Sequence, residues 1–391
     1  MISPSSERSS QWRIGVAGAL AMAAAMGFGR FVYTPILPGM MEGAGLSSAD
    51  AGLIAGANFI GYLLGAILAA FGWGAGRERR IALLGLLATV ALLAAMAAAT
   101  SLVGFLVIRF LAGLASAFAM IFTSSIVLPH GAQNEHVPHL HFGGVGFGIA
   151  LSSTLAFAVN MAAGDGAHGW RMSWIGSAMI AAMMVLAVYQ LLPRPISGAR
   201  TVPELPLPWR LPLVLVTISY GLFGFGYVVT ATFLVAIARS TAAGPVVEAL
   251  AWFVTGVAAA LSLIAWRLLV RRVGIEATYA TCIALEAVGV VGSVLLPPVA
   301  GALVGGLLLG LTFMAVTAYG LQLGRKLAPE SPRRALAAMT AAFGTGQIAG
   351  PPVAGWLAER SGSFTVASLL AAAALATSVL LMVPLLRTRA R

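Results

Sequence analysis

The chain is a succession of long apolar runs separated by short polar or charged breaks. A helix that crosses a bilayer needs about 20 mostly apolar residues. With charged clusters and Gly/Pro breaks as boundaries, the apolar runs predict membrane helices over residues 12–39, 47–71, 79–100, 102–129, 140–163 and 170–192. A second set follows over 209–238, 246–270, 276–296, 299–323, 334–358 and 363–386. The expected fold is therefore an all-α polytopic membrane protein with twelve transmembrane helices.

The longest break, 193–208, runs Pro-Arg-Pro-Ile-Ser-Gly-Ala-Arg-Thr-Val-Pro-Glu-Leu-Pro-Leu-Pro. Prolines at that density make an extended linker rather than a helix. It divides the chain into an N-terminal six-helix bundle (1–192), a cytoplasmic linker (193–208) and a C-terminal six-helix bundle (209–391). The halves also echo one another. Gly27-Phe28-Gly29 recurs as Gly224-Phe225-Gly226, and Leu111-Ala112-Gly113-Leu114 as Leu308-Leu309-Gly310-Leu311. Gly144-Val145-Gly146 is matched by Gly344-Thr345-Gly346. Ordered matches in corresponding helices point to a duplication, and hence to two pseudo-symmetric bundles in parallel orientation with a site between them.

Composition narrows the class. With 60% hydrophobic residues, 9% charged residues and a mean hydropathy of +0.95, the chain lies outside the soluble globular range. Its single cysteine, Cys282, excludes a disulfide framework and a thiolate metal site. The net charge of +11 invites a nucleic-acid partner, but the basic residues fall in clusters between apolar runs. Of 23 Lys and Arg, Arg30 and Arg109 lie inside predicted helices and only Arg171, Arg239 and Arg360 fall on one side. The remaining eighteen (23 − 2 − 3) share the other side, the bias of a cytoplasmic face. Both termini are therefore expected in the cytoplasm, with the protein in the cytoplasmic (inner) membrane. The Ala-rich run after Arg13 could pass for a secretory leader. It continues into the Arg30 stretch, so it is read as a retained first helix. No phosphate-binding Gly-rich loop is present, which argues against ATP as the energy source.

Several stretches together resemble the major facilitator superfamily over essentially the whole chain, and more narrowly its YbfB/YjiJ-like branch. They are Gly29-Arg30-Phe31-Val32-Tyr33-Thr34-Pro35 with Leu37-Pro38, and Asn58-Phe59-Ile60-Gly61-Tyr62-Leu63-Leu64-Gly65. His141-Phe142-Gly143-Gly144-Val145-Gly146-Phe147-Gly148, Gly169-Trp170-Arg171 and Gly346-Gln347-Ile348-Ala349-Gly350-Pro351 complete the set. The resemblance implies secondary transport by alternating access, with no cofactor. Arg109-Phe110-Leu111-Ala112-Gly113 looks like the superfamily's helix-4 arginine motif. The loop Gly72-Trp73-Gly74-Ala75-Gly76-Arg77-Glu78-Arg79-Arg80 departs from the pattern by lacking its Asp. The Gly-Pro pair of the antiporter-type motif stands in helix 11 rather than helix 5, so the direction of transport stays open.

Arg30 heads the candidate chemistry. A charge at mid-membrane costs about 2.5–3.5 kcal/mol on insertion scales, so such residues default to function. Spaced i, i+3, i+4 and i+7, Arg30, Tyr33, Thr34 and Leu37 would share a helical face carrying a cation, a phenol and a hydroxyl. A buried guanidinium suits a planar anion; the other reading is a tie to carbonyls freed by Pro35 and Pro38. Arg109 is read either as a substrate or proton-coupling group, or as a charge fixing helices 1, 2 and 4. Asn58 and Tyr62 are expected to line the cavity, with Gly61 and Gly65 as packing positions. Tyr227 takes the place of Arg30 under the repeat. Gln347, Tyr220 and Tyr319 are further polar candidates.

Glu286 is the one acid deep in a predicted helix, either a proton carrier or a structural carboxyl. His130, His136, His139 and His141 cluster beside Glu135. Their spacing lacks the His-Glu-x-x-His pattern of zinc hydrolases, so no metal is assigned. They form a solvated loop or a pH-sensitive gate, and His141 at the helix mouth is a second coupling candidate.

The expected activity is secondary active transport of a small anionic or amphipathic organic solute, coupled to protons. The chain is expected to act as a monomer among membrane lipids, without nucleic acid. The rival reading is a non-transporting sensor or enzyme that reuses the fold, with the histidine loop as its site.

Overall fold

Inside lipid, every backbone N–H and C=O must be satisfied within the segment itself, and apolar runs of this length achieve that as helices. A computed structural model describes residues 4–130, 136–163, 168–195 and 204–389, and these hold helices and no strand. Helix α1 has three stretches, α-helical Pro4–Met22, π-helical Ala23–Phe31 and α-helical Tyr33–Ala44. The N-terminal half continues with α2 (Ser48–Ala70), α3 (Glu78–Ala98), α4 (Leu102–His130), α5 (His136–Ala163) and α6 (Gly169–Leu191). The C-terminal half comprises α7 (Leu211–Ser240), α8 (Pro245–Val273), α9 (Ile275–Leu295), α10 (Pro298–Leu327), α11 (Pro332–Ser361) and α12 (Thr365–Arg389).

The twelve helices match the twelve apolar runs, most ends falling within about a turn of the expected ones and α1 starting earlier, at Pro4. Local signals set those ends. Gly45 (φ 65°) closes α1 in the left-handed conformation. Ser47 and Asp50 form a reciprocal capping box that opens α2. Among the described residues, eleven spans are long and apolar enough to cross a membrane by composition; α11 is not among them. It carries Arg333, Arg334, Gln347, Pro351, Pro352 and Glu359. Packed between α2 and α7, it has less surface to offer lipid.

The duplication is visible in the packing. Under the repeat, Gly113 corresponds to Gly310. A Cβ on Gly113 would overlap the carbonyl oxygen of Asn58 on α2, and one on Gly310 would overlap that of Thr255 on α8. Likewise Gly144 and Gly148 of α5 lie against Ala19 and Ala23 of α1, while Gly346 of α11 lies against Gly221 of α7. Gly61 meets the backbone of Phe110, and Gly65 meets Leu114 and Ala117, so both serve packing as expected.

The halves meet along two equivalent seams, α2 with α11 and α5 with α8, and through α1 against α7. Glycine permits backbone contact at both seams: Gly52 faces Pro351, and Gly146 faces Gly256 and Ala260. The central helices α1 and α7 are the most enclosed, each with 83% of its most apolar stretch buried. Twelve helices running in alternating directions put the start of α1 and the end of α12 on one face. On the opposite face Arg239 of α7 binds Glu42 of α1 across the halves (3.1 Å) and Glu248 of α8 within its own half (2.6 Å). There too the Ala49 N–H donates to Glu359 Oε2 (3.1 Å). Of the expected linker, 196–203 lie outside the described residues. Its Glu204 accepts from the N–H groups of Arg333 and Arg334 at the start of α11.

Candidate functional site

Chain geometry at the centre of α1 governs the site. The π-helical stretch Ala23–Phe31 carries an extra residue in its turn and is buried throughout. It ends at Phe31, and beyond it Tyr33 keeps the side toward α2 that Arg30 faces, while Thr34 does not. Tyr33 turns toward α2, where its hydroxyl donates to Ala51 O (3.0 Å). Thr34 turns to the other half, its hydroxyl donating to Ala231 O of α7 (2.5 Å). Leu37 is fully buried core.

Arg30 itself is 4% exposed, and its Nε and Nη2 find no hydrogen-bond partner in the protein. Its guanidinium carbon lies 4.5 Å from the ring centroids of both Phe59 and Tyr62 on α2, and 5.4 Å from that of Phe31. Cation–π attraction of this kind is worth about 2 kcal/mol when desolvated, which holds the group without neutralising it.

The backbone tie that the prolines suggested for Arg30 belongs instead to Arg109. Its Nη1 and Nη2 donate to Gly29 O (3.2 Å) and Arg30 O (3.1 Å), two carbonyls of the π-helical stretch. The guanidinium also lies 4.9 Å from the Tyr33 centroid. Asn58 Nδ2 in turn donates to Arg109 O (3.0 Å), leaving Asn58 Oδ1 without a partner. Asn58 is fully buried in this α2–α4 contact, whereas Tyr62 is half-buried with its hydroxyl against Met120 Sδ.

Across the seam the opposing half presents aromatic rings. Tyr227, Phe223, Tyr220 and Phe343 stack with interplanar angles between 4° and 19°, and Phe313 lies 6.0 Å from Tyr227 at 2°. Gln347 Nε2 donates to the Tyr227 hydroxyl. Arg30 and Tyr62 are within electrostatic reach of Tyr227. Phe31 crosses from α1 to pack against Phe313 (5.9 Å) and Trp252 (6.5 Å). The structure thus brings Arg30, Tyr62, Tyr227 and Gln347 together and commits Tyr33, Thr34, Asn58 and Arg109 to backbone ties around them. Phe343, Phe313 and Phe59 were missed because the sequence search favoured polar groups. Tyr220, Phe223 and Tyr227, spaced three and four apart on α7, already formed an aromatic stripe.

Of the remaining candidates, Tyr220 joins the aromatic stack and donates to Thr317 O (3.2 Å), and Tyr319 is buried on α10. Glu286 of α9 is 1% exposed; Thr312 donates to its Oε2 while Oε1 has no partner. It too is within electrostatic reach of Tyr227. His141 is enclosed within the N-terminal half, its Nε2 2.8 Å from Ser124 Oγ of α4 and its Nδ1 against Gly18 of α1. Within the histidine loop, 131–135 lie outside the described residues. Among the described residues no group of three or more His, Cys, Asp or Glu could hold a metal.

Two pseudo-symmetric six-helix bundles meeting along α1 and α7 are the architecture of the major facilitator superfamily. The chain belongs to the family described as "Uncharacterised MFS-type transporter YbfB", whose profile matches residues 22–383. It is a multi-pass secondary transporter of a small molecule, not an enzyme. The fold resembles the nucleoside transporter NupG in a point-mutant form, with a TM-score of 0.75 and 14% identity over 96% of this chain and 98% of that one. It also resembles a bacterial homolog of the human lysosomal transporter Spinster, inward-facing and occupied, at TM-score 0.66 and 16% identity over 95% of each chain. No curated protein matches in sequence.

Proposed function

We propose that this protein carries a small organic anion across the cytoplasmic membrane by alternating access, with Arg30 as the anion-binding group. The observation that carries this is the buried Arg30 guanidinium, whose Nε and Nη2 have no partner in the protein. Leaving a charge buried and unpaired costs several kcal/mol, and an anionic solute removes that cost. Tyr62, Tyr227 and Gln347 complete the contact surface, while Arg109, Asn58, Tyr33 and Thr34 keep α1 in place around it. The bundles 1–192 and 209–391 rock about the site as the Pro-rich linker spans them.

Proton coupling runs through Glu286 in this reading. Its free Oε1 and its reach to Tyr227 support that role. Arg109 is occupied by carbonyls, and His141 faces Ser124 and Gly18 rather than the seam. The basic residues gathered on the face of the termini support a cytoplasmic orientation for both ends. The protein acts as a monomer among lipids.

Proteoliposome transport tests the reading: a panel of labelled organic anions is offered with and without a pH gradient, to wild type and Arg30→Ala. Uptake of an anion that Arg30→Ala abolishes while the protein stays folded supports it. Uptake indifferent to that substitution for every solute refutes it.

A further inference from the structure

Resting on the anion-carrier reading, we infer that the solute class is a flat, singly charged aromatic carboxylate, its carboxylate on the Arg30 fork and its ring against the Phe343–Tyr227 stack. The first argument is the choice of atoms. Nε and Nη2 share one edge of the guanidinium, where their N–H bonds run side by side, and both are buried without a partner in the protein. Such a fork takes both oxygens of one carboxylate. Phe59 and Tyr62 hold the group through ring contacts at 4.5 Å, which leave this Nε–Nη2 edge without a protein partner.

Charge sets the second limit. Among the described residues the buried charged side chains are Arg30, Arg109, Glu248, Glu276 and Glu286. Glu248 is paired with Arg239 and Glu276 with Lys326, while Arg109 spends Nη1 and Nη2 on Gly29 O and Arg30 O and keeps only Nε free. Arg30 therefore offers the one complete free fork among these cations, and a fork takes one carboxylate. A dianion such as a phosphate monoester would leave a charge buried and unpaired.

The third argument is the wall. Aromatic rings attract other rings through offset or edge contact beyond simple burial. The stack of α7, α10 and α11 has its rings nearly parallel, and Phe343 is half-buried. Because Gln347 donates to the Tyr227 oxygen, the tyrosine's own proton is free to donate to the solute.

The test measures binding to the purified protein by calorimetry with benzoate, cyclohexanecarboxylate, phthalate, benzamide and uridine. Benzoate is expected to bind about threefold to tenfold more tightly than cyclohexanecarboxylate, which has the same charge without the flat ring. Phthalate and benzamide should bind more weakly than either. Phe343→Leu should bring the benzoate-to-cyclohexanecarboxylate ratio close to one, and Arg30→Gln should remove both. Equal wild-type affinity for the two carboxylates, with both lost in Arg30→Gln, overturns the aromatic class and leaves the anion carrier standing. Uridine or benzamide bound as tightly by Arg30→Gln as by wild type overturns both. The wild-type ratio decides the matter even where Phe343→Leu does not fold.

Discussion

Arg109→Lys separates two roles that a charge in α4 can play. In the structure Arg109 uses two nitrogens to hold Gly29 O and Arg30 O, so its planar fork bridges consecutive carbonyls of the π-helical stretch. Lysine keeps the positive charge but is a point donor on a flexible stem, and it reaches one of the two. A hydrogen bond involving a charged group contributes about 1.5–3 kcal/mol, and its loss here leaves a buried carbonyl unsatisfied. That corresponds to about 10–150-fold in the equilibrium between the ordered site and arrangements in which Arg30 points elsewhere. Apparent affinity scales with the population of the competent arrangement. Calorimetric titration of Arg109→Lys with the anion that wild type binds best should therefore show weakening by up to that factor. Its pH-gradient dependence in proteoliposomes should be unchanged. Wild-type affinity in Arg109→Lys, with only the pH dependence altered, would refute the positioning argument and assign Arg109 to coupling by charge.

Other consequences are equally direct. Glu286→Gln, which keeps shape but cannot release a proton, should abolish accumulation driven by a pH gradient while exchange of labelled for unlabelled solute continues; accumulation at the wild-type level would exclude Glu286 as the carrier. On the face opposite the termini, Glu248 is 11% exposed and Glu42 68% exposed as side chains. Glu42 is the partner that crosses between the halves, while Glu248 holds Arg239 from within the same half, and exposed pairs contribute at most about 1 kcal/mol. Spin-label distances across that face should therefore lengthen slightly in Glu42→Gln and less in Glu248→Gln; the reverse order would show that the latch does not act through the Arg239–Glu42 pair. Gly113→Ala should lower thermal stability in detergent by about 1–3 kcal/mol through overlap with Asn58 O. Gly143→Ala, whose new Cβ meets nothing closer than 3.4 Å, serves as its control.

The architecture was legible in the sequence because bilayer thickness fixes helix length and the repeat shows as glycines at corresponding positions. Gly113 and Gly310 illustrate this: each permits backbone contact with the equivalent neighbour. The site was legible in part. Arg30 stood out through its cost in lipid, but its surroundings did not follow from helical spacing. Tyr33 shares the side of Arg30 but spends its hydroxyl on Ala51 O, Thr34 bonds across to α7, and nothing in Ala23–Phe31 spells out the π-helical turn. The carbonyl tie expected of Arg30 belongs to Arg109, 79 positions away in sequence, a long-range contact that only folding reveals. The Glu42–Arg239–Glu248 latch escaped for the same reason, since its members sit at the ends of three helices.

The division of the site, cation on one half and rings on the other, has a kinetic corollary. A carrier returning without solute must bring the halves together around an unneutralised guanidinium, a step the loaded carrier avoids. Under the proposed role of Arg30, the return of the empty form is the slow leg of the cycle, and counterflow of solute for solute is expected to run faster than net movement.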